Sequence, residues 1–193
     1  MIRFDTSACA RNTLLVTSVE GAEGLSHPYR FDLELVSTSA DLEAAELMRG
    51  PARLAMKEGF ELEGRRRGIR TRVTHGVIAS VEQREKTGGW VVYRAVLVPK
   101  MWRLSLAMHS RIFLDKTVPE IVAEVLKENG LREEDWEFRL TGSYERKEYV
   151  VQHRETDLAF VSRWLEHEGI FYFFRQEDEA EKVIFGETAE GYD

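Results

Sequence analysis

The chain has 193 residues, with 27 Lys and Arg against 34 Asp and Glu, a formal net charge of −7. Hydrophobic residues make up 43% and charged residues 32%, which excludes an intrinsically disordered chain and gives enough apolar mass for one domain or two small ones. No apolar run approaches the roughly 20 residues of a membrane-spanning helix. The start, Met1-Ile2-Arg3-Phe4-Asp5, lacks the layout of a cleaved export signal, so synthesis in a cytosol is expected. A lone Cys9 excludes an intrachain disulfide and a cysteine metal cluster.

Charge is unevenly placed. Residues 1–104 carry 16 basic and 13 acidic side chains (net +3), and residues 105–193 carry 11 and 21 (net −10). The sign change marks a candidate boundary between two parts, 1–104 and 105–193. The acidic second part argues against a nucleic-acid partner, because phosphate contacts need a basic face.

The first part reads as strands. Leu14 to Val19 is an apolar, β-branched run. Tyr29, Phe31, Leu33 and Leu35 alternate with polar residues and define one buried face of a strand. A short helix fits Asp41 to Met48, stopped by Gly50-Pro51, and Leu54 to Met56 is a further strand candidate. Val73, His75, Val77, Ala79 and Val81 share one side of another, with Gly76 suited to a bulge or a close approach. Gly88-Gly89 predicts a tight turn into a strand over Trp90 to Val98. This succession points to a closed antiparallel barrel or a small sandwich.

The second part mixes helices and strands. Thr117-Val118-Pro119-Glu120 forms a capping box opening a helix whose stripe is Val118, Ile121, Val122, Val125 and Leu126, ended by Asn129-Gly130. Glu148 to His153 is a strand. Thr156-Asp157 then caps a second helix, with Leu158, Val161 and Leu165 on one face and Gly169 at its end. Ile170 to Phe174 reads as a buried strand returning through Lys182 to Phe185.

The search for chemistry returns little. His167-Glu168 lacks the second His, four residues on, that a zinc-protease helix needs, since position 171 is Phe. None of His27, His75, His109, His153 and His167 pairs at metal-ligand spacing. Nothing local activates Cys9. No catalytic, cofactor-binding or metal-binding residue is therefore assigned. Arg65, Arg66, Arg67, Arg70 and Arg72 place five arginines in eight residues; without interleaved aromatics, a face for an acidic partner is favoured over a nucleic-acid platform. Arg154, Glu155 and Asp157 cluster at a helix start, where capping and ion pairing are favoured over acid–base work.

Ser110 to Val122 and Glu148 to Phe174 resemble the Vgr (VgrG) family of type VI secretion spike proteins, and His75-Gly76-Val77-Ile78 and Pro28-Tyr29-Arg30-Phe31 look like that family's N-terminal region. The resemblance runs from about Leu14 to Phe185. It implies an α+β fold, mainly an antiparallel β-barrel like that of a phage tail hub (1–104), followed by a smaller α+β subdomain (105–193). It also implies a structural role without catalytic residues, as an adaptor between a tube of haemolysin-coregulated protein (Hcp) and a puncturing needle. Homotrimers, partnership with Hcp and with downstream needle and effector domains, and export by the type VI system without a signal peptide follow from the same resemblance. A phage or prophage baseplate hub, a hydrolase using Glu155 and Asp157, and a stand-alone ligand-binding module are the alternatives.

Overall fold

In the computed structural model, residues 2–39, 42–62 and 66–188 are described, with backbone alone for 58–62, 66–69 and 87. The elements are β1 (Ile2–Thr6), β2 (Leu15–Gly24), β3 (His27–Ser37), α1 (Ala44–Arg49), β4 (Pro51–Leu62), β5 (Arg66–Thr87) and β6 (Trp90–Val98). A 3-10 turn, Lys100–Ser105, leads to β7 (Met108–Lys116), α2 (Val118–Glu128), a second 3-10 turn, Glu133–Asp135, and β8 (Trp136–Arg139). β9 (Lys147–Thr156), α3 (Asp157–His167), β10 (Phe171–Gln176) and β11 (Glu181–Gly186) complete the order.

Two compact units share these elements. The first comprises residues 1–22, 29–99 and 178–181; the second comprises 23–28, 100–177 and 182–193. The first holds a six-stranded sheet in the order β1-β4-β5-β6-β3-β2, whose registered pairs are antiparallel. Its order is open, with β1 and β2 as edges, so the expected closed barrel is instead a curled half-barrel.

Period-two alternation builds the inner face. Phe31, Leu33 and Leu35 of β3 stand opposite Leu97, Ala95 and Tyr93 of β6, and all six are buried. Facing residues in an antiparallel pair share a side, so these three pairs form a continuous apolar band. Phe4 of β1 meets Leu54 of β4, which meets Thr74 of β5.

The face expected for β5 is corrected by a bulge. Ile78 pairs with Leu97 and Ser80 with Val96, leaving Ala79 as an extra residue. The bulge exchanges the two faces, so Thr74, Gly76 and Ile78 lie inward before it and Val81 after it. A second irregularity lies between Gln83 and Lys86. Together they bend this 22-residue strand, as curling a sheet requires. Gly76 itself serves a close approach: a Cβ there would collide with the Val98 carbonyl oxygen. Gly88 and Gly89 have φ of 59° and 85°, the left-handed backbone that a two-residue hairpin turn demands.

In the second unit, α2 starts as its capping box predicts. The Glu120 amide donates to the Thr117 hydroxyl at 3.3 Å, and the Thr117 amide donates to the Glu120 carboxylate at 2.8 Å. Val118, Ile121, Val122, Val125 and Leu126 are all buried, each worth roughly 1.5–3 kcal/mol of hydrophobic stabilisation. They pack in one core with Phe113, Val150, Phe160, Leu165, Tyr172 and Phe185. Phe113 stacks on Phe160 at 5.4 Å between ring centroids. β11 lies between β10 and β8 and runs parallel to β8. The aromatic run in β10 is less enclosed than its composition suggests, because only Tyr172 of that strand is fully buried. Among the described residues no helix is long and apolar enough to cross a membrane.

Candidate interaction surface

β7 and β9 form a two-stranded antiparallel sheet in the second unit, and its two faces differ completely. Inward are Phe113 and Val150, which join the core, and Arg111 and Gln152. Outward, Ile112 stands opposite Val151 and Leu114 opposite Tyr149, all exposed.

The inward polar pair converges on Asp157, which has no exposed surface. Its Oδ1 accepts from Gln152 Nε2 at 2.8 Å, His109 Nδ1 at 2.9 Å and Arg111 Nη2 at 3.1 Å, and its Oδ2 accepts from Asn129 Nδ2 at 2.8 Å. Burial pushes the carboxyl pKa up. The bonds from Asn129, Gln152 and His109 and the charge of Arg111 outweigh that and hold it below the ordinary aspartate value. Arg111 also pairs with Glu128 at the end of α2. One carboxylate thus joins β7, β9, α2 and α3. Every oxygen of Asp157 is engaged by a donor, so its arrangement suits a structural anchor rather than proton transfer to a substrate.

The charged cluster seen in sequence does not converge. Thr156 is the cap of α3, accepting from the Ala159 amide at 3.1 Å, while Asp157 turns into the core. Glu155 pairs with Arg163 at 2.5 Å. Arg154 is exposed and holds a left-handed φ of 49°.

The arginine-rich segment lies on β5, facing β4. Arg65 is outside the described residues. Arg66 and Arg67 pair in register with Leu62 and Glu61, Arg70 with Glu58 and Arg72 with Met56. Arg70 and Arg72 are exposed and two apart, hence on one face.

The remaining candidates occupy separate places. His75 is buried on β5, and its carbonyl accepts from the Tyr29 hydroxyl. His167 ends α3 with its ring edge-on to Trp164 at 5.3 Å. Burial raises the Cys9 thiol pKa, which disfavours a reactive thiolate. Among the described residues no group of three or more His, Cys, Asp or Glu is placed to hold a metal ion. A cavity of about 620 Å³ opens beside Ser26, His27, Ser162, Glu166 and Tyr172.

Sequence reasoning missed the outward face of β7–β9. Its signal was present in the alternation of Met108, Ser110, Ile112 and Leu114 against Phe113 and Arg111, which reads as a strand with two unlike faces.

Antiparallel half-barrel, capped helix, two-stranded ribbon and aromatic strand together define a tail-hub fold. A profile of the phage tail baseplate hub (GPD) family matches residues 22–193, and the chain belongs to that family. Two curated relatives are type VI secretion system spike proteins of Pseudomonas aeruginosa. VgrG4b is 40% identical over 177 residues, covering 92% of this chain and 20% of its own, and VgrG1b is 35% identical over 188 residues, covering 97% and 24%. A solved Escherichia coli structure, c3393, superposes with a TM-score of 0.84 at 27% identity over 99% of this chain and 50% of its own. It is described as a component of the type VI secretion system with structural similarity to the T4 bacteriophage tail proteins gp27 and gp5. The chain therefore spans only a fifth to a quarter of the length of those curated spike proteins.

Proposed function

We propose that this chain is the hub-like part of a type VI secretion spike, a structural adaptor that seats the spike on a tube of Hcp and carries the needle and effector domains beyond it. The observation that carries this reading is the match to spike proteins at 35–40% identity along more than nine-tenths of the chain. That match favours a secretion spike over a phage baseplate hub. On this reading the parts 1–104 and 105–193 are a hub barrel and its α+β companion, the assembly is a homotrimer, and export uses the type VI machine without a signal peptide. The role is mechanical rather than enzymatic: surfaces mate, and contraction elsewhere supplies the work.

The arginines Arg65, Arg66, Arg67, Arg70 and Arg72 are proposed as a docking patch for an acidic face of the tube or of a neighbouring chain. The experiment is co-purification of tagged Hcp from the same genome with the parent chain and with an Arg70→Glu, Arg72→Glu variant. Retention of the parent and loss of the variant is the expected result. Failure of the parent to be retained overturns the adaptor reading, and equal retention of both removes the arginine patch from it.

A further inference from the structure

Asn129-Gly130, the pair that stops α2, is chemically labile. Glycine has no side chain to shield its backbone nitrogen, so that nitrogen can attack the Asn129 Cγ. The Gly130 nitrogen bonds to Cγ, the Cγ–Nδ2 bond breaks, and Nδ2 leaves as ammonia with the proton of the Gly130 amide. Water then opens the cyclic imide at either carbonyl. The product is aspartate or its isomer, in which the main chain runs through the former side chain. Asn129 is half-buried and Gly130 exposed, so water meets the pair.

Both reacting groups are held in this fold. Asn129 Nδ2 donates to Asp157 Oδ2 at 2.8 Å and to the Val125 carbonyl at 2.9 Å. The Gly130 amide donates to the Lys127 carbonyl at 3.0 Å, and the Leu131 amide to the Leu126 carbonyl at 3.1 Å. Attack requires aligned atoms about 3–3.5 Å apart. Bringing Cγ onto the Gly130 nitrogen means turning the side chain away from Asp157 and taking that amide off Lys127.

We infer that Asn129 is a spontaneous deamidation site gated by Asp157, closed while the anchor holds and, once converted, a permanent break between α2 and α3. Conversion replaces the donor that meets Asp157 Oδ2 with a second carboxylate. Arg111 and His109 face Asp157 from β7 and Gln152 faces it from β9, while Glu128 of α2 already shares Arg111. Like charges so close disfavour the ionised pair. This gate is independent of the spike reading.

The test incubates the 193-residue chain in warm, mildly alkaline buffer and follows the tryptic peptide 128–132 by mass spectrometry, beside a synthetic peptide of the same sequence. Conversion in the parent is expected to be at least about tenfold slower than in the peptide, because only the open fraction reacts. Asp157→Asn, scored only where it melts cooperatively, should convert faster than the parent. Parent and peptide converting at one rate overturns the inference, as does a folded Asp157→Asn as slow as the parent. Asn129→Asp stands for the product and decides the consequence without either rate. Its paired carboxylates hold a proton more readily when folded, so its melting deficit against the parent should be small near about pH 4 and widen toward neutrality. A deficit that is absent, or the same at every pH, overturns the inference too.

Discussion

Asn129 and Asp157 are joined by a 2.8 Å hydrogen bond that fastens the end of α2 to the start of α3. The same Asn129 amide also donates to the Val125 carbonyl at 2.9 Å, so one side chain closes a helix and holds its neighbour. Replacing Asp157 with Ala takes one of two acceptors from each of Asn129 and Gln152, which keep the Val125 and Glu155 carbonyls, and removes the charge that Arg111 faces. Breaking a buried charged network costs about 3–5 kcal/mol. At roughly 2–4 °C per kcal/mol for a chain of this size, the melting temperature should fall by about 6–20 °C. A fall of under 3 °C in a calorimetric scan would show that Asp157 is not the anchor.

The Glu187 carboxylate should govern an acid-induced loosening of residues 141–144. It accepts from the Thr141 amide at 2.5 Å and the Gly142 amide at 2.7 Å, and from the Thr141 and Tyr144 hydroxyls. These bonds, led by the Thr141 side chain, lower its pKa from 4.5 to about 2. A carboxylate with a depressed folded pKa contributes above its unfolded value and ceases to contribute as pH falls through the folded one. Protection of the Thr141 and Gly142 amides, taken relative to the intrinsic exchange rate at each pH, should therefore be high at neutral pH and fall from about pH 4.5 down to about pH 2. Glu187→Gln should show low protection throughout, with the pH step abolished.

Gly76→Ala should damage the first unit. The added Cβ meets the Val98 carbonyl oxygen and comes within 3.1 Å of the Tyr29 hydroxyl, neither of which can yield without disturbing β6 or β3. Overpacking of this kind costs about 1–3 kcal/mol. Chemical denaturation at equilibrium measures it, and an unchanged midpoint would show that β6 gives way freely.

Thr117→Ala removes the hydroxyl that receives the Glu120 amide and frees one half of the capping box on α2. Loss of an N-cap costs about 1 kcal/mol. Thr117→Ser should recover most of it, and the comparison of the two variants by urea unfolding separates the cap from the lost methyl group.

The sequence was most readable where one local rule acted without competition. The capping box at Thr117, the glycine turn at 88–89 and the period-two run from Tyr29 to Leu35 each need only neighbouring residues, and all three occur as expected. The bulge at Ala79 was invisible, because it is defined by a partner strand and not by its own composition. β1 and β8 are five and four residues long, too short for a periodic signal, and owe their strand geometry to Met56, Leu54 and Phe185 beside them. Asp157 looked like an ordinary first-turn acid. Its burial depends on donors 5 to 48 residues away, a convergence that no linear spacing reveals.

Arg154 is the extra residue that lets Ser110 pair with His153 while His109 pairs with Glu155. In an unbroken strand, positions 152 and 157 would point to opposite sides. The inserted residue, with its left-handed backbone, shifts the count by one and carries the chain into α3, so that Gln152 and Asp157 come within bonding reach. Were Arg154 instead paired with His109 as a regular strand residue, Glu155 would fall opposite Met108 on the outward face, placing a negative group where the greasy strip now ends. The miscounted strand is what keeps the anchor hidden and the outer surface free of acid.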